Sequence, residues 1–152
     1  MDINFVLNNK SNKMLRSFIA ASFAAVAIAA PTAEVMGDLP SAPAFSSTTY
    51  SGYLEVNSTK QLHYVFATSL SANAATDPVV IWFNGGPGCS SMLGFMQENG
   101  PIIVDDGESE FKVNEYPWNA EANMLWIESP AGVGWSTATG ANDMIQNDLL
   151  QS

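Results

Sequence analysis

The residues best placed to do chemistry are those with the least side chain. The stretch WFNGGPGCSS, residues 82 to 91, sets Gly85, Gly86, Pro87 and Gly88 in a row directly after the apolar run Val79 to Phe83. Glycines around a proline make a turn whose backbone can approach a second molecule closely, because no Cβ stands in the way. A second turn of small residues, AGVG at 131 to 134, follows another apolar run, Met124 to Ile127. Neither turn completes G-x-G-x-x-G, and no Walker lysine is present, so a nucleotide is a poor fit. GESEF at 107 to 111 approaches the G-x-S-x-G of a nucleophile elbow. Phe111 replaces its last glycine and no apolar strand precedes it, so Ser109 reads as a surface loop residue. His63, the only histidine, alternates within a strand pattern and reads as structural. No cofactor and no metal site is expected.

The elements that must position these turns are legible in the patterning. The chain has 152 residues, 47% of them hydrophobic, enough for one ordinary domain. EVMGDLPSAPAFSSTT, residues 34 to 49, is rich in Pro, Ser and Thr without periodicity and reads as an extended surface lead-in. YSGYLEV and QLHYVFAT alternate apolar and polar residues on either side of NSTK, which predicts a β-hairpin. Asn57-Ser58-Thr59 in its turn is an N-glycosylation sequon. VVIWF is apolar at every position, as expected of a central strand buried on both faces. SSMLGFMQENG places Met92, Phe95 and Met96 at helical spacing before the stop Gly100-Pro101, predicting a short helix packed back on the sheet. PIIVDDGESEFKVNEYPWN reads as an irregular excursion and ANMLWIESP as a second buried strand. NDMIQNDLLQS then begins a helix capped by Asn142 or Asp143. Strands followed by tight turns and helices, after an opening hairpin, predict an α/β sheet of mixed order.

Residues 1 to 33 read as a secretory signal peptide. Lys10, Lys13 and Arg16 flank the uncharged run Ser17 to Ala30, and small residues suited to cleavage follow. The run is shorter than the roughly 20 apolar residues of a membrane span, so no stable membrane span is expected. Cleavage after Ala29 and after Ala33 both fit the pattern, and Met14 is an alternative start. Without the leader, Lys60 and Lys112 face fourteen acidic residues, a net charge of −12. Such a surface disfavours nucleic acid as a partner and suits an acidic compartment, where partial protonation relieves self-repulsion. In a secreted protein the single Cys89 is either a free thiol or half of a disulfide whose partner lies outside this sequence.

YSGYLEV, VVIWFNGGPGCSSMLGFMQENGP and NEYPWNAEANMLWIESPAGVGWS, with DLP ahead of them, resemble in the same order the N-terminal part of the serine carboxypeptidases. These are secreted and lysosomal or vacuolar exopeptidases of the α/β-hydrolase fold. The resemblance covers roughly residues 38 to 152, and NGGPGCSS followed by ESPAGVG is its most specific part. It implies an incomplete α/β-hydrolase domain over residues 50 to 152, and release of C-terminal amino acids from peptides through an acyl-enzyme. By the resemblance, Gly86 supplies a backbone N–H to the oxyanion of the tetrahedral intermediate. Asn84, Gly85 and Glu98, the last standing fourteen residues after Asn84, hold the free carboxylate of the substrate. A carboxylic acid can bind a carboxylate only while it keeps its own proton, which favours acid pH. The implied partners are peptide and protein C-termini, and the implied destination is a lysosome, a vacuole or the cell exterior. Cys89 would pair with a cysteine beyond this sequence.

The resemblance also places the nucleophilic serine, the aspartate and the histidine after residue 152. The sequence therefore reads as a fragment that carries the oxyanion and carboxylate-recognition part and is inactive alone. It is not expected to fold stably by itself, since it would expose the edge of a central strand. Two other readings stay open. One is a catalytically inactive secreted binding protein; the other is a carboxypeptidase-like acyltransferase, which uses the same acyl-enzyme chemistry with a different acceptor.

Overall fold

The structure, a computed structural model, describes residues 33 to 140. The expected leader up to residue 32, the alternative start at Met14 and the helix from Asn142 lie outside the described residues.

Alternation in sequence becomes a hairpin in space. β2 (Thr49–Asn57) and β3 (Lys60–Ala67) pair antiparallel, with Tyr53 opposite His63 and Thr49 opposite Ala67. Asn57 closes the turn between them: its Oδ1 accepts from the Thr59 amide and the Thr59 hydroxyl, both at 2.9 Å. This side-chain mimic of a backbone turn is what favours asparagine there. Ahead of the hairpin, β1 (Glu34–Val35) adds to β2 at Tyr50 and Ser51. Part of the lead-in is thus sheet, and Met36 and Phe45 from it pack against the core.

β4 (Val79–Trp82) and β7 (Asn123–Ile127) run parallel, while β7 lies antiparallel to β3. The strand order is β1-β2-β3-β7-β4, a mixed sheet, as the order of elements predicts. Between β4 and β7 the chain makes β5 (Ile102–Ile103) and β6 (Lys112–Val113), which pair as a separate two-stranded ladder. Short β8 (Thr137–Ala138) returns to pair with β3.

Register aligns Val65, Trp126 and Trp82 across three strands, so they share one face of the sheet. The helix expected after the glycine turn packs on that face. It has π form over Gly94–Glu98, with the Asn99 amide reaching back to the Gly94 carbonyl at 2.9 Å. Phe95, fully buried, meets Trp126 edge-on at 5.0 Å between ring centroids, and Phe45 covers Phe95 from outside at 6.2 Å. Aromatic contacts of this kind add about 0.5–1.5 kcal/mol to what burial contributes.

VVIWF departs from its expectation. Among the described residues β4 is the edge of the sheet, and the central position belongs to β7. Val80 and Trp82 pack on the core, whereas Val79, Ile81 and Phe83 are 57%, 53% and 55% exposed. An uninterrupted apolar run records a need for burial on both faces, and the described residues cover one of them.

Candidate functional site

Trp82 stands level with Trp126 in the parallel pair β4 and β7. The turns leaving these strands, 84 to 91 and 128 to 136, therefore emerge side by side at the carboxyl end of the sheet, where open α/β sheets bind ligands.

The first turn is tied down at both ends and bare in the middle. Ser91 Oγ accepts the Asn84 amide at 3.1 Å and donates to the Ile127 carbonyl at 2.6 Å, which pins entry and exit together on β7. The Ser90 hydroxyl donates to Glu128 Oε1 and accepts the Met92 amide at 3.1 Å. Between these anchors Gly85, Gly86, Pro87, Gly88 and Cys89 are all exposed. Gly86 has φ +136°, and a Cβ there would stand 3.0 Å from the Gly88 nitrogen and 3.3 Å from that of Cys89. Glycine is required at this position by backbone conformation and by space together. Among the described residues no hydrogen-bond acceptor takes the amide of Gly85 or of Gly86. The amides of Gly88 and Cys89 are likewise without an acceptor among the described residues, so the turn presents several open donors, of which Gly85 and Gly86 stand nearest the end of β4.

Asn84 is held in a defined orientation. Trp82 Nε1 donates to its Oδ1 at 2.7 Å, and since an indole nitrogen can only donate, the amide must turn its NH₂ group outward. The Trp82 ring is itself packed between Gly94 and Trp118; the two indoles meet edge-on at 5.3 Å. Glu98 is the last residue of the π-helix and is exposed. The five-residue closing bond brings it one turn beyond Gly94, the residue that touches Trp82.

A second polar group lies behind the turn. Glu128 is completely buried at the end of β7, and its Oε2 accepts the Trp135 amide at 2.8 Å and lies 3.0 Å from His63 Nδ1. His63 Nε2 faces Ser51 Oγ at 2.9 Å. Hydroxyl, imidazole and carboxylate follow one another as in a catalytic relay. Ser51 nevertheless sits in mid-strand with β1 on one side and β3 on the other. Its surrounding backbone belongs to the ladders, and an oxyanion would find no pair of open amides beside it. His63 itself is buried on β3.

Of the residues singled out from sequence, Asn84, Gly85, Gly86 and Cys89 share one turn, with Glu98 on the helix that follows it. Cys89 is an exposed free thiol. Asn57 is exposed at the far hairpin turn, and Ser109 is exposed in the excursion between β5 and β6. Among the described residues no cluster of His, Cys, Asp or Glu could hold a metal ion, and no helix is long and apolar enough to cross a membrane. Trp82, Ser90, Ser91 and Glu128 were not singled out. A lone acid between a buried run and a glycine turn was the available signal for Glu128.

The chain matches the family model for serine carboxypeptidase over residues 40–151. It is 44% identical over 134 residues to the serine carboxypeptidase ctsa-4.1 of Caenorhabditis elegans, covering 86% of this chain and 28% of that protein. It is likewise 44% identical over 102 residues to the P-(S)-hydroxymandelonitrile lyase of Sorghum bicolor, covering 65% of this chain and 20% of the lyase. The solved structure of a prohormone-processing carboxypeptidase of Saccharomyces cerevisiae, Kex1(delta)p, superimposes with a TM-score of 0.53 at 29% identity, covering 64% of this chain and 22% of that one. The sheet is that of part of an α/β-hydrolase, and the chain spans under a third of the length of these relatives.

Proposed function

The chain belongs to the serine carboxypeptidase family, and from that premise we propose that it carries the oxyanion turn and the carboxylate clamp of a serine-type carboxypeptidase. In this reading Gly86 N–H receives the negative charge that grows on the scissile carbonyl oxygen. One such donor is worth about 2.7–4 kcal/mol of transition-state stabilisation. Asn84 Nδ2, the Gly85 amide and the protonated carboxyl of Glu98 hold the C-terminal carboxylate of the peptide. The serine, histidine and aspartate that form and hydrolyse the acyl-enzyme come, in this proposal, from sequence following residue 152. The observation that carries it is the pair of open amides, Gly85 and Gly86, in a turn whose two ends are fixed.

The proposed compartment is the secretory pathway, ending in a lysosome, a vacuole or outside the cell. The leader composition supports this, as does Asn57, exposed in a turn where Thr59 Oγ1 already donates to its Oδ1 and leaves Nδ2 outward for a glycan. Cys89, exposed beside the turn, is proposed to form a disulfide outside this sequence. A second reading, another reaction on the same scaffold, is favoured by the sorghum relative, a lyase at the same identity as the worm carboxypeptidase. An acyltransferase falls under this reading too.

The test uses the full-length gene product at acid pH with an N-blocked dipeptide and with its C-terminal amide. A carboxypeptidase releases the terminal amino acid from the free acid, is silenced by a serine-directed phosphonate, and cleaves the amide far more slowly. Equal turnover of the two substrates, or no release from either, would refute the proposal.

A further inference from the structure

Glycine turns follow both β4 and β7, and the carboxypeptidase reading uses only the first. The second, AGVG, is built around a buried acid. Gly134 has φ +52°, and a Cβ on it would overlap the carboxylate of Glu128. The absence of that Cβ is what lets a fully buried carboxylate sit against the turn. There it accepts the Trp135 amide on Oε2, faces His63 Nδ1 with the same oxygen, and takes the Ser90 hydroxyl on Oε1.

The direction of these bonds fixes Ser90. A hydroxyl has one proton to give, and Ser90 Oγ already accepts the Met92 amide, so its proton goes to Glu128. His63 is in turn fixed through its backbone: its amide donates to Ser136 Oγ at 2.8 Å, and Ser136 Oγ donates to the Glu128 carbonyl at 2.6 Å. The Glu128 amide returns to the His63 carbonyl at 3.0 Å. The carboxylate thus stands on a rigid part of the sheet and reaches across to the exit of the other turn. Ser91 holds that turn by the backbone of β7, and Ser90 holds it by a side chain. Both follow Gly86, Pro87 and Gly88, and Ser90 is the nearer of the two in the chain.

We propose that Glu128 is a positioning residue for the Gly86 amide, acting through the Ser90 hydroxyl and steadied by His63 and the Trp135 amide. This rests on the carboxypeptidase reading of the first turn. Asn84 is anchored separately, by Trp82 and by Ser91, so loss of the Glu128 brace misplaces the oxyanion donor while Asn84 keeps its place in the carboxylate clamp.

The test is a double-mutant cycle in the full-length gene product with Glu128→Gln, Ser90→Ala and the two combined, assayed on an N-blocked dipeptide. Amide hydrogen exchange at Leu93, whose N–H donates to the Ser90 carbonyl at 3.1 Å, is measured on the same four proteins. Glu128→Gln keeps the shape but offers Ser90 an NH₂ in place of an acceptor. Ser90→Ala removes the bond with little change in volume, so it carries the test if the buried substitution impairs folding. Each single change is expected to lower kcat about tenfold, less than the roughly 10²–10³ lost with an oxyanion donor itself, and to leave KM within about twofold. The combined variant is expected to be no slower than the slower single, because both remove one interaction. Exchange at Leu93 should rise in all three variants while the β2–β3 hairpin is unchanged. Losses that multiply in the double variant, an effect on KM alone, or exchange equal to wild type would overturn the proposal. A wild-type protein with no carboxypeptidase turnover would refute the reading of the turn, and the exchange measurement would still decide whether Glu128 holds it.

Discussion

Replacing Trp82 by Phe removes one hydrogen-bond donor and the ring edge that lies against Gly94. Phe keeps an aromatic ring on the strand, and because Trp82 is only half-buried the fold should tolerate the loss of packing. What disappears is the Nε1 proton that holds Asn84 Oδ1 at 2.7 Å. A neutral hydrogen bond of this kind contributes about 0.5–1.5 kcal/mol net. Its loss also frees the Asn84 amide to flip, and the flipped form presents an oxygen to the substrate carboxylate where a donor is needed. Both effects fall on binding of the free terminus, in the ground state and the transition state alike, so they raise KM and spare kcat. At about 1.4 kcal/mol per factor of ten, the expected rise in KM for an N-blocked dipeptide is roughly 3- to 10-fold, with kcat within about twofold. The inhibition constant of an N-blocked amino acid, a product with the same carboxylate, should weaken by the same factor. If kcat falls as far as KM rises, or if the product binds as tightly as to wild type, Trp82 does not orient the clamp and the reasoning from the indole bond fails.

Two further outcomes follow from the geometry. Gly86→Ala demands a conformation that costs an L-residue about 1–3 kcal/mol and sets a methyl 3.0 Å from the Gly88 nitrogen. The turn must shift, so the melting temperature should fall by a few degrees and kcat by up to about 10²–10³; a variant of wild-type kcat would show that this amide is idle. Asp77 is held below its ordinary range by the hydroxyls of Ser69 and, secondarily, Ser71. The unfolded chain therefore takes up this proton first as pH falls, so the stabilisation is present above the unfolded value of about 3.9 and fades below it. Thermal melts of wild type and Asp77→Asn should differ at pH 6 and converge toward pH 3, and curves that stay parallel would count against this role.

How much of this could be read from sequence depends on whether the cause is local. The hairpin is local: alternation and an Asx turn at Asn57 specify it within a few residues. β7 is nearly so, because Met124 and Trp126 need burial whatever lies beside them. The glycine turn was visible as a backbone lacking side chains, and its resemblance to a known family gave the roles of Asn84, Gly85, Gly86 and Glu98. Strand order was less legible. VVIWF has the composition of an interior strand, yet its neighbours are set by pairings distant in sequence, and among the described residues it has β7 on one side only. The helix was read from the spacing of Met92, Phe95 and Met96, but its π form was not. That form comes with close contact between Gly94 and the Trp82 ring, which joins residues from two elements. β1 is a two-residue pairing with no periodicity to betray it. Glu128 was the hardest to see: a buried acid becomes intelligible only once His63, 65 residues earlier, and Ser90, 38 residues earlier, are known to meet it.

The central claim is that the Gly86 amide waits for negative charge on the substrate oxygen. Its most direct test is a crystal structure of the full-length gene product inactivated by a phosphonate, whose tetrahedral adduct places an oxygen where the oxyanion would form. The account predicts that oxygen within about 2.7–3.1 Å of Gly86 N, with the turn otherwise unmoved. An adduct oxygen directed at other donors, with Gly86 N facing solvent, would contradict it.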